Sequence, residues 1–219
     1  MRIVEQSADL IGLMNPFFNL GEEVLGCHGN PEYLIERAGR VCYKSEDRIT
    51  ATSSTEFIRK LNKLQHHSVL EHSCASIRIV TDRGISHELV RHRLASYSME
   101  STRYVNYSKE KHGGGDIQFI LPIDLLPEQK ERVLESYRLA EYGYNEAIKS
   151  GCTQQQARDL LPNGLKTELV MTCNFREWLH FLKLRTAPAA HPKMQVLARL
   201  IQDILVEVAP TVFNPQEGT

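Results

Sequence analysis

Apolar residues recur along this chain with two periods, and the period identifies each element. Phe57, Leu61 and Leu64 return at helical spacing behind Ser53 and Glu56, a capping-box pair, and predict a helix over residues 55–66. Ala75, Ile77 and Ile79 alternate with Ser76 and Arg78, the period of a half-buried strand, over residues 75–80. Ile85 and Leu89 mark the inner face of a helix over residues 84–93, and residues 117–121 read as a short strand. The clearest stripe is Val133, Tyr137, Ala140, Tyr144 and Ala147. It predicts a long helix over residues 127–150, opened by Pro127 and stopped by Gly151. A short helix over residues 153–161 ends at Pro162-Asn163-Gly164, and a strand follows over residues 169–173. Asn174 caps the next helix, with Glu177 at the capping-box position. The last helix starts at Pro192 and turns Leu197, Ile201, Ile204 and Val208 inward. Helices dominate and the strands do not alternate with them as βαβ units. The fold class is therefore α+β, helix-rich, with a small, mostly antiparallel sheet.

No repeat or low-complexity linker divides the chain, so residues 1–219 are expected to form a single domain. The run Gly113-Gly114-Gly115, within residues 109–116, reads as a surface loop between its two halves. Hydrophobic residues make up 42% of the 219, enough for one sizeable core or at most two small ones. The charged fraction of 24% is that of a folded globular chain. A net charge of -1 argues against a basic coat for nucleic acid or a membrane, so an anion site must come from local clustering. The first residues carry early acids and no apolar h-region, so no secretory signal is expected, and no apolar run approaches membrane-spanning length. The cysteines, Cys27, Cys42, Cys74, Cys152 and Cys173, are odd in number and form no C-x-x-C. Buried, unpaired thiols in a reducing cytoplasm are the expectation.

The densest candidate chemistry lies in Arg91-His92-Arg93-Leu94-Ala95-Ser96-Tyr97-Ser98-Met99-Glu100-Ser101-Thr102-Arg103-Tyr104. Consecutive helical residues point about 100° apart, so Arg91, His92 and Arg93 cannot share one solvent patch. At a helix end they can fan around a bound polyanion, and arginine forks match phosphate bidentately. The hydroxyls of Ser101 and Thr102 add hydrogen-bonding capacity. A solvated helix end, with cations on its last carbonyls, is the competing reading, and the residues alone leave the two level.

Arg91-His92-Arg93 followed by Ser101 resembles the R-H-R-x7-S signature of flavin-dependent thymidylate synthases. Thr102-Arg103-Tyr104 and the upstream Ser68-Val69-Leu70-Glu71-His72 are similar to the same family. So are Ala157-Arg158 before Leu160-Leu161-Pro162, then Asn174-x-Arg176, His180 and Leu184-Arg185, in the family's order. The resemblance runs from about residue 55 to about residue 200. It implies the family's fold and the reductive methylation of dUMP to dTMP. It implies methylenetetrahydrofolate as the carbon donor, FAD reduced by NADPH as the hydride source, and release of tetrahydrofolate. It implies that Arg91, His92 and Arg93 meet the flavin, with Ser68, Asn174, Arg176 and His180. It implies that dUMP is held by Glu88, Arg91, Met99, Glu100, Ser101, Thr102, Arg103, Arg158 and Arg185. It implies that Arg185 is the catalytic group, lying by the pyrimidine to stabilise its ionised N3; a cation near a helix C-terminus is the ordinary reading of that residue. His66 falls at a folate-side position, and the resemblance implies a homotetramer with active sites at subunit interfaces. The chain departs from many members at Glu88, often Gln, and at Ser98-Met99, often Asn-Glu, with the acid one place later at Glu100. The loop over residues 186–191 also aligns poorly with members that place a flavin-contacting histidine there.

Several other chemistries lack their motifs. Ser101 has no G-x-S-x-G context for a nucleophile, and the Pro-Cys-His context of the cysteine-dependent thymidylate synthase is absent. His66, His67 and His72 match neither H-E-x-x-H nor H-x-x-E-H, so core or hydrogen-bonded histidines are expected rather than a metal site. No G-x-G-x-x-G follows a strand, so a flavin would sit in an arginine, histidine and asparagine site instead of a Rossmann turn. Trp178, Phe175 and Phe181 read as core. A non-catalytic RNA- or nucleotide-binding module built on residues 91–103 is the alternative from another class. Glu88, Glu100 and Glu110 interrupt its basic face, so neither nucleic acid nor membrane is an expected partner.

Overall fold

The structure is a computed structural model that describes residues 1–15, 30–108 and 116–214. The glycine run, Glu110 and Cys27 lie outside them. The chain opens with two strands the periodicity does not announce, β1 (Arg2–Ile3) and β2 (Ser7–Leu13). A helix, α1 (Pro31–Tyr43), follows. Asn30 caps it by accepting the Glu32 N–H at 2.8 Å, and Pro31 fills its first turn. Next comes α2 (Ser53–Lys63), which begins earlier than expected. Its Ser53 is the first helical residue and not the cap. The Ser53 hydroxyl donates to Glu36 at 3.0 Å and accepts the Thr50 N–H at 2.9 Å, so the expected capping box does not form.

The centre is a four-stranded antiparallel sheet in the order β2, β3 (Cys74–Asp82), β6 (Lys166–Asn174), β4 (Ser96–Met99), where β5 (Gln118–Phe119) pairs separately and in parallel with β1. In register, Cys74 faces Asn174 and Asp82 faces Lys166. Ala75, Ile77 and Ile79 with Leu169, Met171 and Cys173 fill the buried face, as the alternation requires. On the other face Arg78 donates to Glu168 at 2.6 Å, and Lys166 reaches Glu168 at 3.2 Å and Glu100 at 3.1 Å. The Arg78 hydrogen bond holds the Glu168 carboxyl below its usual range.

The helices between and after these strands are α3 (Arg83–Leu89), α4 (Pro127–Lys149), α5 (Gln154–Ala157), α6 (Phe175–Arg185), α7 (Pro192–Val208) and α8 (Pro210–Phe213). α3 ends at Leu89, not near Arg93. α4 matches its stripe: Tyr137 and Tyr144 are buried with Tyr107, Ile117 and Phe119, and Gly151 follows with φ 97°. In α7 the inward residues are Met194, Leu197, Ala198, Ile201 and Leu205. Ile204 and Val208, expected inside, are only half-buried. Trp178, Phe175 and Phe181 are fully buried in the main core. Cys173 is buried, Cys74 half-buried, and Cys42 and Cys152 exposed, so burial does not hold for the last two. Among the described residues no helix is long and apolar enough to cross a membrane.

Candidate active site

Two helices leave the central strand pair at its opposite ends. Asp82, the last residue of β3, caps α3 by accepting the Ile85 N–H at 2.8 Å. Asn174, the last residue of β6, caps α6 by accepting the Glu177 N–H at 2.9 Å. Since β3 and β6 are antiparallel, the helices start apart, and their C-terminal ends converge. At that convergence the Arg185 Nη1 donates to Glu88 Oε2 at 2.9 Å, and Nη2 donates to the Glu88 carbonyl at 3.2 Å. The cation therefore does occupy a helix C-terminus, as its ordinary reading has it. It also does more.

Arg185 Nε donates to His92 Nε2 at 3.0 Å. An arginine Nε always carries its hydrogen, so His92 Nε2 is the acceptor, and the ring's proton sits on Nδ1. That Nδ1–H meets Glu177 Oε1 at 3.3 Å. Burial lowers the His92 pKa, and the adjacent Arg185 charge lowers it further, so the ring is neutral near neutral pH. The Tyr97 hydroxyl locks the turn that carries His92, donating to the Leu89 carbonyl at 2.7 Å and the His92 carbonyl at 2.9 Å. Phe181 packs edge-on to the imidazole at 5.1 Å.

His92 is 5% exposed, whereas its neighbours Arg91 and Arg93 are exposed, as are Val90 and Leu94. Neither arginine forms an ion pair among the described residues. Unpaired guanidinium groups beside exposed apolar side chains fit an anionic cofactor that also carries an apolar ring system, such as a flavin nucleotide. His180 is exposed, its ring 6.0 Å from that of His92. Ligand atoms of His92, Glu177 and His180 lie within 4.8 Å of one another. A metal on His92 Nδ1 would move the ring proton to Nε2, facing the Arg185 N–H. The arrangement therefore favours the hydrogen-bonded network over a metal centre.

The other candidates fall into separate groups. Arg158 donates to the buried Thr102 hydroxyl at 3.3 Å, and Ser101 Oγ accepts the Arg103 N–H at 3.3 Å. Arg103 lies over the exposed Tyr104 ring. Glu100 accepts from the Tyr107 hydroxyl at 2.6 Å as well as from Lys166, and burial with that carboxylate drives the Tyr107 pKa up. Met99, Glu100, Tyr107 and Lys166 line a cavity of about 480 Å³. Farther along, Ser68 and Arg176 border a second cavity, of about 370 Å³, with His66 and His67. There Arg176 pairs with Glu71 at 2.5 Å. His66 is exposed and meets the Tyr43 hydroxyl at 3.5 Å, and His72 is exposed, so neither is a core histidine. Burial and the nearby Arg176 charge lower the His67 pKa. Among the described residues no hydrogen bond or ion pair joins the Arg185 group to the Thr102–Arg158 or Ser68–Arg176 groups. Glu177, Tyr97, Lys166 and Tyr107 are participants the sequence did not announce. Glu177 had a local signal in its capping-box position, and Tyr97 lay within the segment 91–104 without being assigned a role.

The sequence profile described as thymidylate synthase complementing protein matches residues 23–211. The flavin-dependent thymidylate synthase of Geobacter sulfurreducens is 34% identical over 193 residues, covering 84% of this chain and 82% of that protein. That of Corynebacterium diphtheriae is 33% identical over 206 residues, covering 85% and 79%. The chain belongs to the flavin-dependent thymidylate synthase family. Its fold is also that of a solved structure, the UMP/dUMP methylase PolB from Streptomyces cacaoi bound with 5-Br dUMP. The TM-score is 0.79 at 21% identity, over 97% of this chain and 95% of that one.

Proposed function

We propose that this chain methylates dUMP to dTMP as a flavin-dependent thymidylate synthase. Methylenetetrahydrofolate gives the carbon, and FAD reduced by NADPH is the hydride source. The observation that carries the reading is the neutral, buried His92 holding the Arg185 fork beside two exposed, unpaired arginines, in a chain of this family. C5 of the pyrimidine gains a bond to the methylene carbon as that carbon leaves the folate nitrogen, and C5 loses its proton. A hydride completes the methyl group, so the folate leaves as tetrahydrofolate. When bound, the flavin supplies that hydride.

The chain's own work is binding and electrostatics. Arg91 and Arg93, with Ser68, Asn174, Arg176 and His180, hold the flavin, whereas the buried His92 has both ring nitrogens engaged and serves Arg185 instead. Glu88, Arg91, Met99, Glu100, Ser101, Thr102, Arg103, Arg158 and Arg185 hold dUMP. Arg185 is the catalytic residue. Three of its five N–H groups are committed to His92 and Glu88, so its charge is fixed before substrate arrives. A fixed cation beside N3 stabilises the ring anion and makes C5 nucleophilic, without a cysteine. The separation of the candidate residues within one chain supports a homotetramer of single-domain subunits, in which a site is completed by its neighbours.

The test is dTMP formation by the purified protein from dUMP, methylenetetrahydrofolate and NADPH, with and without FAD. Flavin-dependent product with release of tetrahydrofolate is expected. No product from flavin-loaded protein would overturn the reading.

A further inference from the structure

Glu177 stands at the third position of α6, where a capping-box glutamate folds back to the N–H of the cap residue. Here only half of the box is made. Asn174 accepts the Glu177 N–H, but the Glu177 carboxylate turns inward to His92. It is 6% exposed. Burying a carboxylate is costly unless it is hydrogen-bonded, so this placement needs a reason other than helix capping. Its hydrogen-bond partner is His92, the exposed His180 lies within 4.8 Å, and its charge also reaches the buried Cys173 thiol and the Tyr97 hydroxyl.

We propose that Glu177 is a positioning residue for Arg185, acting by fixing the tautomer of His92. A neutral imidazole has one donor and one acceptor nitrogen. By accepting the Nδ1–H, Glu177 obliges Nε2 to carry a lone pair, and that lone pair receives the Arg185 Nε–H. With the other tautomer, Nε2–H would face Nε–H, and the guanidinium would keep only its two bonds to Glu88. The arginine would then be free to swing about the Glu88 end, because nothing would hold its Nε edge. Glu177 touches neither substrate nor cofactor in this scheme. It works through His92, and the proposal rests on Arg185 being the group beside the pyrimidine.

The test compares flavin-loaded wild type, Glu177→Ala and Glu177→Gln, with 15N-labelled histidine and arginine. The His92 resonances are assigned by their loss in His92→Gln. Wild type should show the Nδ1–H tautomer and a slowly exchanging Arg185 Nε–H. In Glu177→Ala, His92 should leave that tautomer, Arg185 Nε–H exchange should quicken, and kcat should fall about tenfold with KM for dUMP within about threefold, the pattern of lost transition-state stabilisation. The amide oxygen of Glu177→Gln can still accept the Nδ1–H, so tautomer and kcat should stay near wild type, within about threefold. An unchanged tautomer and Arg185 exchange rate in Glu177→Ala would overturn the proposal. So would equal losses of kcat in both variants with the tautomer intact. If wild type makes no dTMP, the proposed function fails by that result alone, and the tautomer and Arg185 exchange still decide whether Glu177 positions the arginine.

Discussion

Replacing Arg185 by alanine separates chemistry from architecture, because the two losses differ in size. The substitution removes one hydrogen bond to His92 and two to Glu88. The Glu88 side chain is 34% exposed, so its freed carboxylate finds water, and the lost ion pair costs no more than about 1 kcal/mol. The His92 Nε2 acceptor is buried, and leaving it unpaired costs about 1–2 kcal/mol. Together these lower stability by about 1–3 kcal/mol, or several degrees in melting temperature for a chain of this length. Removing a preorganised group aimed at developing charge costs turnover on the order of 10²–10³. The expected result is thus a folded protein, melting a few degrees low, that makes dTMP at under about 1% of the wild-type rate. Arg185→Lys sharpens the comparison. It keeps the charge, but the lysine donors radiate from one atom and cannot span His92 and Glu88 together, so turnover should still fall about tenfold or more. Product formation is followed by chromatography, and unfolding by the fluorescence of the buried Trp178. Turnover within about threefold of wild type in a folded Arg185→Ala protein would refute the role of the fork, since loss of a preorganised cation at the developing charge costs far more.

Three further outcomes are expected. The His92 pKa is lowered below 6.5 by burial and by Arg185, so the unfolded chain takes up that proton first. The ring's contribution to stability is full above about pH 6.5 and is lost as pH falls through the depressed folded value. Melting curves and turnover should decline together there, and His92→Gln should remove that share of the acid dependence of melting. Lys193→Met leaves Asp82 buried without the cation that pairs with it, and should cost about 3–5 kcal/mol in a denaturant melt. Adding Asp82→Asn should recover part of that loss, because asparagine still caps α3. At Gly164 a Cβ would collide with the Tyr137 hydroxyl, so Gly164→Ala should destabilise by about 1–3 kcal/mol in the same measurement.

Legibility of the fold followed from how cleanly burial tracked polarity. β3 and β6 bury alternate residues, and α4 carries one aromatic stripe, so their patterns stood out. α1 was hidden because its inner face includes Glu32 and Glu36, both buried. Glu32 accepts from Thr211 N at 2.7 Å and Thr211 Oγ1 at 2.8 Å, and Glu36 accepts from Ser53 Oγ at 3.0 Å as well as pairing with Arg40 in its own helix. A polar residue satisfied by a distant partner looks, in sequence, like a solvent-facing one. β2 was hidden for another reason. It is an edge strand with an irregular register between Leu10 and Gly12, so its burial never alternates cleanly. The phase of α7 is not legible locally because Ile204, Leu205 and Val206 are consecutive and all apolar. Local pattern cannot choose among them, and packing buries Leu205.

At the site, the limit was sequence distance. The geometry of consecutive residues excluded one shared patch for Arg91, His92 and Arg93. The structure turns the middle residue in and the outer two out. Residues 91–93 follow α3 in a turn, so the helical spacing does not apply there, and which of the three turns inward is set by distant contacts to Glu177, Phe181 and Arg185. The partners of the middle residue are not local: Glu177 is 85 positions away and Arg185 is 93. Glu177 offered a complete local account of itself as a capping residue, and that account was half right, for its backbone N–H is capped while its side chain serves His92. The deciding constraint is the antiparallel register of β3 and β6. It starts α3 and α6 from opposite ends of the sheet, so Glu88 and Arg185 meet at their far ends. A strand register slipped by one residue would turn the side chains of β6 to the opposite face and move the whole of α6 with it. The site is thus specified less by its charged residues than by the apolar alternation that fixes which strand residues pair. Ile77 opposite Met171, and Ile79 opposite Leu169, do as much to bring His92 to Glu177 as either of those polar groups.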